Sequence, residues 1–70
     1  MEKTFAYHKP SPEGLATITF FREEFSAMYN TIVANVVDSR QRSIALTKLE
    51  ELAMWTIKAV VCNDPKSEVL

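Results

Sequence analysis

Tyr7 and Lys9 stand close together near the start of the chain, Arg22 lies further on, and Arg40 and Arg42 flank Gln41. An arginine near a helix start adds charge-assisted bonds to an end that already favours anions. A tyrosine on a short arm can close over a nucleobase as a stacking lid. Each feature is ordinary alone, since surface arginines near helix starts are common and a tyrosine can simply pack. Together they point to a small phosphorylated, aromatic ligand. Other chemistries have less behind them. His8 has no acid or nucleophile at a fixed spacing, and general acid–base catalysis needs a positioned partner. Cys62 falls in an apolar helical phase and reads as packing. Glu23-Glu24 and Glu50-Glu51 are adjacent pairs, and neighbours on a helix point about 100° apart, so they read as solvated faces or interface ion pairs. Met54 and Trp55, in helical phase, read as core or interface before they read as a ligand box. The chain is therefore expected to be a non-enzyme with no catalytic residue, metal or cofactor.

Two helices must position these groups. The stretch from Ser39 to Val61 carries Leu46, Leu49, Ala53, Ile57 and Val60 at spacings of three and four, one stripe of a helix. Ala45, Leu52, Trp55, Ala59 and Cys62 form a second apolar set that widens the stripe. Asp38 is the expected N-cap, with Gln41 reaching back in a capping box. Upstream, Ser11-Pro12-Glu13 reads as N-cap, first helical residue and dipole-complementing acid. The helix it opens runs from about 12 to about 34, with Ile18, Phe21, Phe25, Met28 and Ile32 as a heptad-like stripe. Gly14, Thr17 and Thr19 lower intrinsic helicity, so packing must support it. The segment Thr17–Phe21 could be taken for a strand, but the helical phase continues through Ile32. The break at 35–38, sequence NVVD, is short enough to return the chain as an antiparallel hairpin.

The expected fold is all-α: one domain over 1–70, with an extended arm 1–10, helix 1 about 12–34, helix 2 about 39–62 and a frayed tail 63–70. Pro10 pushes Lys9 towards an extended conformation. With 47% apolar residues the chain is not disordered, yet a domain this small usually needs a staple or a partner. One cysteine allows no internal disulfide, and one histidine with one cysteine makes no zinc site. Phe20, Tyr29, Trp55 and Val61 fall outside or at the edge of the seam between two helices, and such surface marks an association face. A homo-oligomer follows. The net charge of −1 gives no footprint for duplex nucleic acid. No apolar run approaches the roughly 18 residues of a spanning helix, and the N-terminus lacks the apolar region of a secretory signal. A lone thiol suits a reducing compartment, so a cytoplasmic location is expected.

The segment SRQRSIALTKLEELAMWTIKA, residues 39–59, resembles the helical-hairpin domain of phage sponges that sequester cyclic oligonucleotide signals of bacterial CBASS immunity. A related hairpin occurs in anti-Thoeris sponges. The pattern is S-R-x-x-S-[IL]-A-x-T-K-L-E-E-x-x-M-W-x-x-K-A, and the aromatic arm and Ser-Pro helix start are similar too. The resemblance implies a homohexamer of hairpins that binds cyclic dinucleotides such as cyclic GMP–AMP between protomers, without cleaving them, in the host cytoplasm. It implies that Tyr7 stacks on a base, that Arg22, with Lys9, contacts the ligand, and that Arg40 with Ser39 serves a separate cyclic trinucleotide site. Arg22 stands where lysine is expected, and Glu24 where some members carry a hydroxyl. A carboxylate there repels phosphate, so the dinucleotide site is the better preserved of the two. The residues leave rival readings open. A helical adaptor binding another protein through its apolar face is the first. A phosphodiesterase lacks a metal-ligand cluster, and a DNA-binding hairpin is disfavoured by charge.

Overall fold

The Ser11-Pro12 start behaves as helix-capping chemistry dictates. Ser11 is extended (φ −68°, ψ 168°), its Oγ accepts from Gly14 N at 3.1 Å, and Pro12, which has no N–H to leave unpaired, opens helix α1 at Pro12–Asn35. This is a computed structural model, and it describes residues 10–64 together with the backbone of 8–9 and 68–69. Helix α2 is Arg40–Cys62, joined to α1 through residues 36–39. The two pack side by side as an antiparallel hairpin.

The seam follows the helical period. Ile18, Phe21, Phe25 and Ile32 of α1 are buried or half-buried, as are Leu46, Leu49, Ala53, Ile57 and Val60 of α2. Phe21 stacks on Phe25 with ring centroids 6.0 Å apart and meets Phe20 edge-on at 5.4 Å. Met28 departs from expectation: it is 52% exposed, and Tyr29 beside it is 49% exposed. At about 100° per residue, the mean direction of the stripe passes between these two positions and leaves each about 50° off it. A strict three-four alternation overstated Met28.

Two further corrections concern termini. The N-cap of α2 is Ser39, not Asp38. Ser39 is the last extended residue (φ −161°, ψ 167°), and its Oγ accepts from Arg42 N at 3.2 Å while donating to Val37 O at 3.0 Å. Asp38, one residue too early to cap, pairs with Arg42 at 3.5 Å. At the other end the tail is not wholly frayed. Glu68–Val69 (strand β2) pairs antiparallel with His8–Lys9 (strand β1), with His8 opposite Val69 and Lys9 opposite Glu68. Two residues show no readable alternation, and the pairing joins opposite ends of the chain, so local sequence carried no sign of it.

The hairpin is thin. Among the described residues Ile18, at 3% exposure, is the one buried large apolar side chain, and none is completely enclosed. The radius of gyration is 14.8 Å, against about 11 Å for a compact domain of this length. The chain exposes 5453 Å², against roughly 4,450 Å² for a compact monomer of its mass. Phe20, Leu52, Met54 and Trp55 contribute to the excess, and Trp55 is 62% exposed. Val61, expected at the edge, is half-buried. Neither described helix is long and apolar enough to cross a membrane.

Candidate ligand-binding surface

A groove of about 520 Å³ runs along one flank of the hairpin, lined on α1 by Phe25, Ser26, Tyr29 and Asn30, and on α2 by residues from Leu46 to Ala53, including Glu50. Aromatic walls with a few amide and hydroxyl groups are the usual make-up of a small-molecule site. Arg22 precedes Ser26 by one turn and lies on the same flank by helical phase. It is exposed and makes no ion pair or hydrogen bond among the described residues.

The arginines at the turn divide by function. Arg40, the first residue of α2, is exposed and also makes no such bond. Arg42 sits on the seam, with its side chain only 20% exposed. Its Nη1 donates to Val36 O at 3.1 Å and Val33 O at 3.5 Å, and Nη2 meets Asp38. Those carbonyls belong to the last turn of α1 (Val33) and to its C-cap (Val36), where the helix leaves its acceptors unsatisfied and its dipole favours a cation. Arg42 thus holds the turn together, with its guanidinium engaged by Val33, Val36 and Asp38. The Ser39 hydroxyl is likewise engaged in capping.

Of the candidate residues whose side chains are described, Arg22 and Arg40 stand apart. Ten residues of α1 separate Pro12 from Arg22, which is about 15 Å of axial rise, and thirteen more lead to Asn35, about 20 Å. Arg22 therefore stands mid-helix, away from both the arm and the turn. Tyr7 lies outside the described residues, and only the backbone of Lys9 is described. No group of three or more His, Cys, Asp and Glu stands together among the described residues in a way that could hold a metal.

Sequence reasoning missed the contact that closes the open end. The Asp64 carboxylate oxygen Oδ2 accepts from Ser11 N at 3.1 Å and from Ser11 Oγ at 2.6 Å. A Cβ on Gly14 would overlap that oxygen and lie 3.2 Å from Asp64 Cγ and 3.4 Å from Ser11 Oγ. Gly14, apparently a weak helix residue, makes room for the carboxylate over the first turn of α1.

The family model described as the Acb2/Tad1 hairpin domain matches residues 1–61. The chain belongs to that family. The Acb2/Tad1 family comprises anti-CBASS and anti-Thoeris sponges, non-enzymatic domains that bind signalling molecules. No curated protein and no solved structure matches the chain. The Acb2/Tad1 match takes in the groove, Arg22, the turn, Ser11 and Gly14, and it ends at Val61, before Asp64 and β2.

Proposed function

We propose that this Acb2/Tad1 hairpin is a sponge for cyclic dinucleotides that binds them intact, lowers their free concentration and so silences CBASS defence in an infected bacterial cytoplasm. Membership of a sponge family over residues 1–61 carries the reading. Tyr7 stacks on a base, and Arg22 and Lys9 meet the phosphates. The site is completed between chains, as the resemblance implies. The exposed apolar surface supplies the reason for those chains to assemble, and a homohexamer, as the resemblance implies, has repeated pockets of this kind. A pre-formed pocket closed by one short arm keeps the ordering cost of binding low. Arg40, exposed at the turn, is the cation of a secondary cyclic trinucleotide site, with Ser39 beside it.

The test is calorimetric titration with cyclic GMP–AMP, of the wild type and of Tyr7→Ala and Arg22→Ala. Tight binding at one ligand per two chains, weakened by about a hundredfold in Tyr7→Ala through loss of one stacking contact, is expected. Ligand recovered from the heat-denatured complex should be chemically intact. No heat with any cyclic dinucleotide or trinucleotide would remove the sponge reading and leave a helical adaptor as the better account of the apolar face.

A further inference from the structure

We propose that Asp64 and strand β2, which lie beyond the part of the chain shared with the family, are positioning elements that hold the N-terminal arm in place for ligand capture. This rests on the ligand reading above. Among the described residues, the root of the arm packs against α2 and is tied at two further points. At the first, one oxygen of Asp64 takes both the amide and the hydroxyl of Ser11, two residues after Lys9. At the second, His8–Lys9 pairs with Glu68–Val69. Ser11 and Asp64 are 53 residues apart in sequence, so the clasp joins the beginning of α1 to the end of α2. Ser11 is almost wholly buried, its Oγ also caps Gly14 N, and Gly14 has no side chain to displace the carboxylate. A carboxylate at the N-terminus of a helix is also where the dipole favours it.

A fixed root lowers the ordering cost of binding, so loosening it should show mainly as faster ligand release. Two variants break the clasp by different routes. Asp64→Ala removes the acceptor, and Gly14→Ala keeps it but places a methyl group where the carboxylate sits. The second also replaces glycine by the best helix former, so helix propensity alone predicts equal or greater stability with unchanged binding. Because both Ser11 bonds end on one oxygen, Asp64→Asn retains an acceptor for them and should keep the Ser11 amide slower to exchange than in Asp64→Ala. A role through charge alone would make it resemble Asp64→Ala.

The experiment combines amide hydrogen exchange at Ser11 and the β1 and β2 residues with cyclic GMP–AMP binding kinetics, on the full chain, after circular dichroism establishes equal helix content. Asp64→Ala and Gly14→Ala should each exchange about tenfold faster at these amides and bind about tenfold more weakly through faster release. Unchanged exchange, or unchanged affinity despite faster exchange, overturns the proposal. If the wild type takes up no cyclic nucleotide, the ligand reading falls separately, and the exchange comparison alone decides whether Asp64 and β2 anchor the arm.

Discussion

The two ends of the hairpin are closed by the same device with opposite signs. At the turn, the Arg42 guanidinium caps the carbonyls that end α1. At the open end, the Asp64 carboxylate covers the amide and hydroxyl that begin it. Each charge sits where the dipole of α1 favours it. The difference is range. Arg42 reaches back six and nine residues to its acceptors, whereas Asp64 reaches across 53. The turn is therefore a local structure that forms as soon as the chain reverses. The open end closes only once both helices are in place, since joining distant residues carries a loop-closure cost. The turn end is the permanent one, and the open end, next to the arm, is the one whose strength can be tuned without undoing the hairpin.

Four substitutions sharpen that contrast, in descending order of effect. Ile18→Ala, one turn after Gly14, removes the one deeply buried apolar side chain and should cost about 2–4 kcal/mol in chemical denaturation. In so thin a core that loss should leave the hairpin largely unfolded as an isolated chain. Arg42→Ala should cost about 1.5 kcal/mol, from two carbonyl bonds and an ion pair that water replaces in part and from the lost packing of a side chain only 20% exposed. Asp64→Ala should cost about 1 kcal/mol globally, with its exchange signature confined to the open end. If Asp64→Ala proved the more damaging of the two, or loosened the turn as well, the division into a permanent and a tunable end would be broken. Lys48→Ala removes an exposed ion pair with Glu51 at 3.3 Å and should change stability by less than about 0.5 kcal/mol.

Trp55 offers a different kind of check. It is exposed on α2 with Lys58 Nζ 5.3 Å from its ring centroid, a weak solvent-facing pair. Trp55→Ala should leave the hairpin's helix content unchanged while shifting sedimentation towards smaller species. Loss of helix content instead would place Trp55 in the fold and not in the assembly.

What was legible in the sequence was whatever repeats locally. The Ser11-Pro12 start, the seam from Ile18 to Ile32 and its counterpart from Leu46 to Val60 all rest on period and capping chemistry within a few residues. The exposure of Phe20 and Trp55 followed from the same period, because a two-helix seam covers one side of each helix. Ser39 and Asp38 were confused because both are good caps and neighbours, and only backbone conformation separates them. Arg42 looked like a surface cation because a guanidinium that ends a preceding helix has no local pattern. Asp64 and Gly14 were unreadable for the opposite reason from Arg42: each has a familiar local reading, a helix stop and a helix breaker, while their contact joins residues fifty apart in the sequence. The candidate ligand residues were named by type and by resemblance, and what the fold adds is the separation of Arg22 from the turn that carries Arg40; the site shared between copies is the proposed reading.

Native mass spectrometry of the protein with and without cyclic GMP–AMP bears most directly on that account, because it counts chains and ligands in one spectrum. The account predicts an assembly of several 8.0 kDa chains, six by the family resemblance, that takes up one intact cyclic dinucleotide for every two chains. A single 8.0 kDa chain, or an assembly that takes up no cyclic nucleotide, would contradict it.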